Sequence, residues 1–425
     1  MQAEFNTATL QEGLQTAETR AGDHVRPAPV RLSEHPVVYF APGDWWTSNP
    51  ADWARLAMEF SKHTPVLFIN SVATSIPRKV FSRNFFRRVA RKLPSFLRVL
   101  RKPMPNLYVF TPLTLFTGRP WLLRLNTWWL QTQIKILRRL LGLRSPILWV
   151  SNAAAASIVE GLDYACLVYS VTDKFDASRY IKARETLTRF DEMLTRRADH
   201  VMCVSRPLFR YYQGRTRKGR VHYLPHAVDF EHFNPARIAA LPTPADIARV
   251  PHPIIGYHGS LTDSNDLELL AYCAERRPDW SFFLIGKAMH NDVLALAEKF
   301  RNVILAGFKK YEEIPAYARH FDVCLLFWKL TEWISYCSPY KTKEYLAMGK
   351  PTVSVPIPEI VEEYSDVISI AATPQEFLDA IERELRNNSP EKERARVARV
   401  QGETWAHYVE RVVEMFLGND EVVRK

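Results

Sequence analysis

Only five cysteines occur in 425 residues, at Cys166, Cys203, Cys273, Cys324 and Cys337, and none stand in a C-x-x-C pair or at zinc-like spacing. That pattern argues against a disulfide scaffold and a structural metal. No run of about 18 apolar residues occurs, which argues against a transmembrane helix. The opening residues, MQAEFNTATLQEGLQTAETRAGDH, are polar and lack the basic-then-apolar order of a signal peptide. The expected setting is therefore reducing and on the cytosolic side. Glycine is scarce as well, with 15 residues, about half the usual ~7% share. Neither G-x-G-x-x-G nor a P-loop lysine motif is present, which argues against dinucleotide and ATP sites of those kinds.

Acidic residues are missing from one long stretch. Between Arg78 and Arg144 there are 16 Lys/Arg and no Asp or Glu, in a chain whose net charge is +11. Residues 77–102, PRKVFSRNFFRRVARKLPSFLRVLRK, read as a helix with Phe85 on an apolar stripe, Arg83, Arg87 and Arg91 on the other side, and a break or kink at Pro94. Residues 119–144 read as a second basic helix carrying Trp121, Trp128 and Trp129. Basic helices with aromatic faces suit the interface of an anionic bilayer, where apolar burial adds to about 1 kcal/mol per nearby Lys/Arg. Two solvated helices packed on a domain core would show the same composition. No nucleic-acid partner is expected, because no recognised binding motif accompanies the charge.

What is present points to parallel sheets. At 47% hydrophobic and 24% charged residues the composition is ordinary globular, and the length is too great for one compact core. Short β-branched or aromatic runs predict strands at 37–42, 66–70, 107–112, 147–151, 166–171, 201–205 and 221–225, with helices at 50–61, 122–141, 181–197 and 206–213. After the Pro-rich stretch HFNPARIAALPTPADIARVPHP, strands resume at 254–259, 281–286, 303–307, 323–328, 352–356 and 368–370. Near-continuous apolar strands separated by helices mean parallel sheets covered on both faces. The expected fold class is thus α/β, with two Rossmann-like doubly wound domains facing a cleft where ligands bind at the strand C-termini. The expected organisation is a disordered tail over 1–33, a first domain over 34–235 that includes the basic segment 78–144, a linker over 236–253, and a second domain over 254–395. A long amphipathic helix pattern follows at 391–418. Gly256, Gly259, Gly286, Gly307 and Gly349 fall in or beside the short connections of the second half, where glycine lets backbone N–H groups approach a phosphate.

Four stretches carry a family resemblance: PVVYFAPGDWWTSNPADWARLAMEFSKHTPVLFIN (36–70), ADHVMCVSRPLF with VHYLPHAVDFEHFNP (198–235), IIGYHGSLTDSNDLELL with WSFFLIG and NVILAGFKKYEEIPAYARHFDVCLLF (254–327), and SPYKTKEYLAMGKPTVSVPIPEI (338–360). In this order and spacing they resemble the GT-B nucleotide-sugar glycosyltransferases grouped with glycosyltransferase family 4 and bacterial exopolysaccharide enzymes. The resemblance implies a second domain that binds the nucleotide sugar, a first domain that binds the acceptor, and a C-terminal helix over 396–425 that crosses back to the first domain. It also implies that no metal or other cofactor is needed.

Glu344 matches the second glutamate of the family's acidic pair, which binds the nucleotide ribose; a carboxylate accepting two hydroxyl protons suits that task. The first glutamate of that pair is replaced by Tyr336. GSLTDSND after the first strand of the second half holds no base, so the diphosphate charge is expected from Lys341 with Lys343 nearby, or from Lys287 beside Gly286. The resemblance implies that His258, Gly259 and Ser260, at that strand end, contact the donor. Ser338, Tyr340 and Lys341 are also similar to a stretch of the membrane-associated glucuronosyltransferase of xanthan assembly, which implies an inverting transfer with one general base. Asp173, ending the strand CLVYSV, is the first choice for that base and Asp44, after the first strand, the second.

The implied function is transfer of a sugar from a nucleotide sugar, a UDP-sugar by family habit, to a polyprenyl-diphosphate-linked oligosaccharide at the inner face of a bacterial membrane. The protein would sit there peripherally through the basic segment. A nucleotide-sugar 2-epimerase and a non-catalytic nucleotide-binding subunit on the same fold are the alternatives.

Overall fold

The computed structural model describes residues 30–46, 52–71, 99–114, 120–174, 184–216 and 219–417. Its first half builds an eight-stranded sheet from β1 (Val37–Phe40), β2 (Val66–Ile69), β3 (Leu100–Met104), β4 (Leu107–Phe110), β5 (Ile147–Val150), β6 (Cys166–Val171), β7 (His200–Cys203) and β8 (Arg220–Tyr223). The order is β3-β4-β2-β1-β5-β6-β7-β8, and only the β3–β4 pair is antiparallel. Strand order reverses at β1, which pairs β2 on one side and β5 on the other.

The second half builds a wholly parallel six-stranded sheet from β9 (Ile254–His258), β10 (Ser281–Ile285), β11 (Val303–Gly307), β12 (Val323–Leu326), β13 (Thr352–Ser354) and β14 (Ser369–Ile370), in the order β11-β10-β9-β12-β13-β14. Both central strands, β1 and β9, are buried along their whole length. This explains their unbroken apolar sequences, since a parallel strand covered on both faces has no solvent side to alternate with.

Successive residues of the first sheet feed two separate cores. Val38, Phe40, Leu67 and Ile69 pack on one face, and Val37, Tyr39, Val66 and Phe68 on the other. The second face is closed by the last helix, Trp405–Leu417, whose Tyr408, Val409, Val412 and Phe416 join that core. The chain end therefore returns to the first domain. The amphipathic pattern at 391–418 is two helices, however. Pro390–Val400 stays with the second domain, where Arg396 meets Glu384 at 3.0 Å, and the chain crosses at 401–404. At that crossing Val228 N donates to the Glu403 carbonyl at 2.8 Å, so the two passages between domains run side by side.

Three further expectations differ from the structure. The stretch 99–102 enters a strand instead of a helix: β3 is a largely exposed edge strand carrying Arg101, Lys102 and Pro103, paired only with β4. Residues 30–33 are ordered, because Val30 and Leu32 are buried in the first-domain core; residues 1–29 lie outside the described residues. The stretch 236–253 is not a free linker either, since Ile238 and Ile247 are buried in the second-domain core and Pro235–Ala239 is helical. Among the described residues no helix is long and apolar enough to cross a membrane.

Candidate functional site

The strands β9 and β10 are neighbours, and each runs into a glycine with a left-handed backbone: Gly259 at φ +137° and Gly286 at φ +146°. A side chain is strained there, and at Gly286 there is no room for one, because a Cβ would lie 2.0 Å from the Gly259 carbonyl oxygen. The two loops thus close on each other. Beside them opens a cavity of about 200 Å³ lined by His258, Gly259, Ser260, Ile285, Gly286, Lys287, Phe233, Phe308, Lys309, Tyr311, Ile314 and Glu344. It lies at the C-terminal ends of the parallel strands, the position where doubly wound sheets take their ligands.

The Tyr340–Ala347 helix brings an acid and a cation to this place. Lys341 and Glu344 are three residues apart and share a helix face. The Lys341 ammonium lies 3.0 Å from where a Gly259 Cβ would stand, with the rings of Tyr257 and Trp328 at 5.2 Å and 4.9 Å. Among the described residues it makes no ion pair, so its charge is available to an anion. Lys343 follows Lys341 by about 200° of helix rotation and faces away. Its ammonium is buried, donates to the His226 carbonyl and pairs with the Glu403 carboxylate. The expectation that Lys343 assists Lys341 at a diphosphate is therefore corrected: it ties together the two passages between the domains.

Glu344 is buried, and burial pushes its carboxyl up to about 7 against the opposing pull of Lys341 and Arg55. Tyr311, which lines the same cavity, opposes that rise as well. His258 Nε2 lies 3.6 Å from Glu344 Oε2, too far for a hydrogen bond, and finds no hydrogen-bond partner among the described residues. Burial, with Lys341 nearby, lowers this imidazole to about 3, so it is neutral. The cavity thus presents a carboxyl poised to ionise, a neutral imidazole nitrogen with unspent capacity and a free ammonium. This set suits a ligand that combines hydroxyls with an anionic group.

Of the residues named from sequence, His258, Gly259, Ser260, Gly286, Lys287 and Glu344 come together in this cavity, with Lys341 beside Gly259. Others stand elsewhere. The Tyr340 ring lies 5.3 Å from His226 and packs with the first-domain core, and Ser338 precedes the helix outside the lining. Tyr336 faces the first domain: its ring meets Tyr211 at 5.8 Å, Lys174 lies 5.3 Å over it, and its carbonyl accepts from Ser205 Oγ at 2.7 Å. Asp173, just past β6, accepts from Cys337 Sγ at 3.8 Å, so it faces the second domain across the interface instead of lining the cavity. Asp44 lies in the turn after β1, also outside the lining.

Trp128 is exposed on the Pro120–Leu140 helix, while Trp129 is tied down by an indole bond to the Leu113 carbonyl at 2.9 Å. Arg83, Phe85, Arg87 and Arg91 lie outside the described residues. Sequence reasoning missed Tyr311, Phe308, Lys309 and Phe233, and also Arg55, whose guanidinium reaches Tyr311 from the first domain. The Lys341/Glu344 face could have been read from helical spacing; the Arg55 contact, between residues far apart in the chain, could not.

Residues 252–387, which hold this cavity's strands and the Tyr340–Ala347 helix, match the family described as Glycosyl transferases group 1. A Bacillus subtilis (strain 168) protein named as the teichuronic acid biosynthesis glycosyltransferase TuaH is 27% identical over 232 residues, which cover 51% of this chain and 57% of that protein. The chain is thus matched to little more than half the length of that relative. Sucrose-phosphate synthase from Thermosynechococcus elongatus superposes with a TM-score of 0.67 at 14% identity, over 91% of this chain and 99% of the other. Anabaena HepE in complex with UDP superposes with a TM-score of 0.59 at 14% identity, over 90% of this chain and all of the other. The fold is GT-B: two Rossmann-like domains facing a cleft, with the last helix returned to the first.

Proposed function

We propose that this chain, whose second domain matches the group 1 glycosyl transferases, is a glycosyltransferase that holds a nucleotide-sugar donor in the cavity at the ends of β9 and β10. The observation that carries the reading is the convergence of Glu344, Lys341 and the two left-handed glycines at one place in that domain. Glu344 accepts the ribose hydroxyls, and Lys341 faces the diphosphate from above Gly259. A UDP-sugar is the proposed donor, and the likeness in fold to a structure holding UDP supports it.

The proposed acceptor is a polyprenyl-diphosphate-linked oligosaccharide in bacterial exopolysaccharide assembly, read at an anionic membrane surface. The match to a protein named for teichuronic acid biosynthesis supports a polysaccharide product. The Pro120–Leu140 helix supports the surface: Leu125, Trp128, Ile136 and Leu140 are all exposed and fall on one helical face together with Lys135 and Arg139. Asp173 is the proposed general base. It takes the acceptor hydroxyl proton as that oxygen bonds the anomeric carbon, while the bond from that carbon to the diphosphate breaks and the nucleoside diphosphate leaves. Its place after β6, facing the second domain, supports that role.

The test is transfer from a UDP-sugar panel to a lipid-linked acceptor, with Asp173→Asn alongside the native chain. Transfer that falls by about 10² or more in the variant, with donor binding kept, supports the whole reading. Equal rates would move the base elsewhere, and the absence of transfer from any donor would favour a non-catalytic nucleotide-binding protein.

A further inference from the structure

The acid of the cavity is connected to the other domain. Arg55 stands on the first-domain helix Asp52–Phe60, and its guanidinium lies 4.5 Å over the ring of Tyr311 in the second domain. The same guanidinium pairs with Asp229, where the chain enters the second domain. Asp229 accepts from His232 N at 3.3 Å. His232 in turn stacks on Tyr311 at 4.6 Å with an interplanar angle of 14°, and its Nε2 meets the Tyr311 carbonyl at 3.0 Å. Tyr311 is thus held through its ring and its backbone, and it lines the cavity together with Glu344.

We propose that Arg55 is a positioning residue of the nucleotide site: it grips Tyr311, which lines the cavity with Glu344, and holds a positive charge near that carboxyl, so that the first domain tunes nucleotide binding in the second. This rests on the reading of the cavity as a nucleotide site. Arg55 does not line the cavity and acts through Tyr311.

Glu344 is faced by Lys341 from its own helix, His258 from β9, Tyr311 from the turn before Ile314–Ala318, and the Arg55–Asp229 pair beyond it. Its burial pushes its carboxyl up to about 7, while ribose hydroxyls donate best to the ionised form. Nucleotide affinity therefore weakens as pH falls through 7. Removing the Arg55 charge raises the carboxyl further and moves that midpoint to higher pH. A residue that merely tethers the domains would change stability but leave the midpoint in place.

The experiment is calorimetric titration of the full chain with UDP from pH 5.5 to 8.5, using native protein, Arg55→Met, Arg55→Lys, Tyr311→Phe, Glu344→Ala and Arg206→Met. The last breaks a separate interdomain pair, Arg206–Glu363, without touching Tyr311. Arg55→Met and Tyr311→Phe are expected to weaken UDP binding about fivefold at pH 7 and to raise the pH midpoint. Arg55→Lys should restore the midpoint, and the Arg55→Met/Tyr311→Phe double variant should be no worse than either single.

Unchanged affinity and midpoint in Arg55→Met and Tyr311→Phe, with binding lost in Glu344→Ala, would overturn the inference and leave the site intact. The same midpoint shift in Arg206→Met would overturn it too, as a general effect of loosened domains. Unchanged binding in Glu344→Ala would instead remove the nucleotide-site reading itself. Should Arg55→Met not fold, Tyr311→Phe carries the same decision.

Discussion

Lys343 and Glu403 offer an asymmetric test of how the domains are joined. Lys343 is 3% exposed and, among the described residues, is held by the Glu403 carboxylate and the His226 carbonyl, whereas the Glu403 side chain is 27% exposed and keeps Arg399 at 3.3 Å. Removing one partner of a buried pair costs about 3–5 kcal/mol when the survivor is stranded without water. That describes Glu403→Leu, which leaves the buried ammonium with a carbonyl alone. Lys343→Met leaves a carboxylate with one oxygen buried but the side chain partly exposed and Arg399 still beside its other oxygen, so its cost should be smaller, about 1–2 kcal/mol. The double variant strands no ion and should recover much of the Glu403→Leu loss. Urea denaturation followed by tryptophan fluorescence, with the single and double variants read as a cycle, measures all three. Costs that simply add, or a Lys343→Met more damaging than Glu403→Leu, would refute the reasoning.

Other consequences follow from the same geometry. Gly286→Ala should cost several kcal/mol or prevent folding of the loop, because its Cβ would meet the Gly259 carbonyl at 2.0 Å; a melting temperature within a degree of native would contradict this. His222 is buried against His200 with its ring nitrogen at 3.0 Å, and burial, with Arg220 nearby, lowers it to about 4. Its unfolded form takes a proton near 6.5, so stability should decline as pH falls from about 6.5 to 4, by on the order of 3 kcal/mol, and His222→Gln should flatten that slope in acid melts. Trp128→Ser with Leu140→Ser should cut sedimentation with anionic vesicles at least about threefold while leaving the melting temperature unchanged, since both side chains are exposed; equal sedimentation would remove the membrane surface from the account.

The strands were legible because buried parallel strands write themselves as unbroken apolar runs; of those in the first half, β3 escaped, being an exposed Leu-Arg-Lys-Pro-Met edge with no such run. The last helix was read as one because its apolar spacing continues through the break at 401–404, where the chain changes domain instead of stopping. In the cavity, Glu344 was named from the family resemblance, Lys341 from the lack of a base in GSLTDSND, and the glycines from their places at strand ends. Lys343 was misplaced because residue type was weighed without helix rotation. Arg55 and Tyr311 carry no local signal at all, since their meaning arises only when two domains bring distant residues into contact.

The central claim is that the cavity at the ends of β9 and β10 holds a nucleotide sugar. Its most direct test is a thermal-shift panel of nucleotides and nucleotide sugars on native protein and Glu344→Ala. Ligand at about 100 times its Kd should stabilise the native protein by about 2.7 kcal/mol, a readable rise in melting temperature. The account predicts such a rise with a UDP-sugar and its loss in the variant. No rise with any nucleotide, or an equal rise in both proteins, would contradict it.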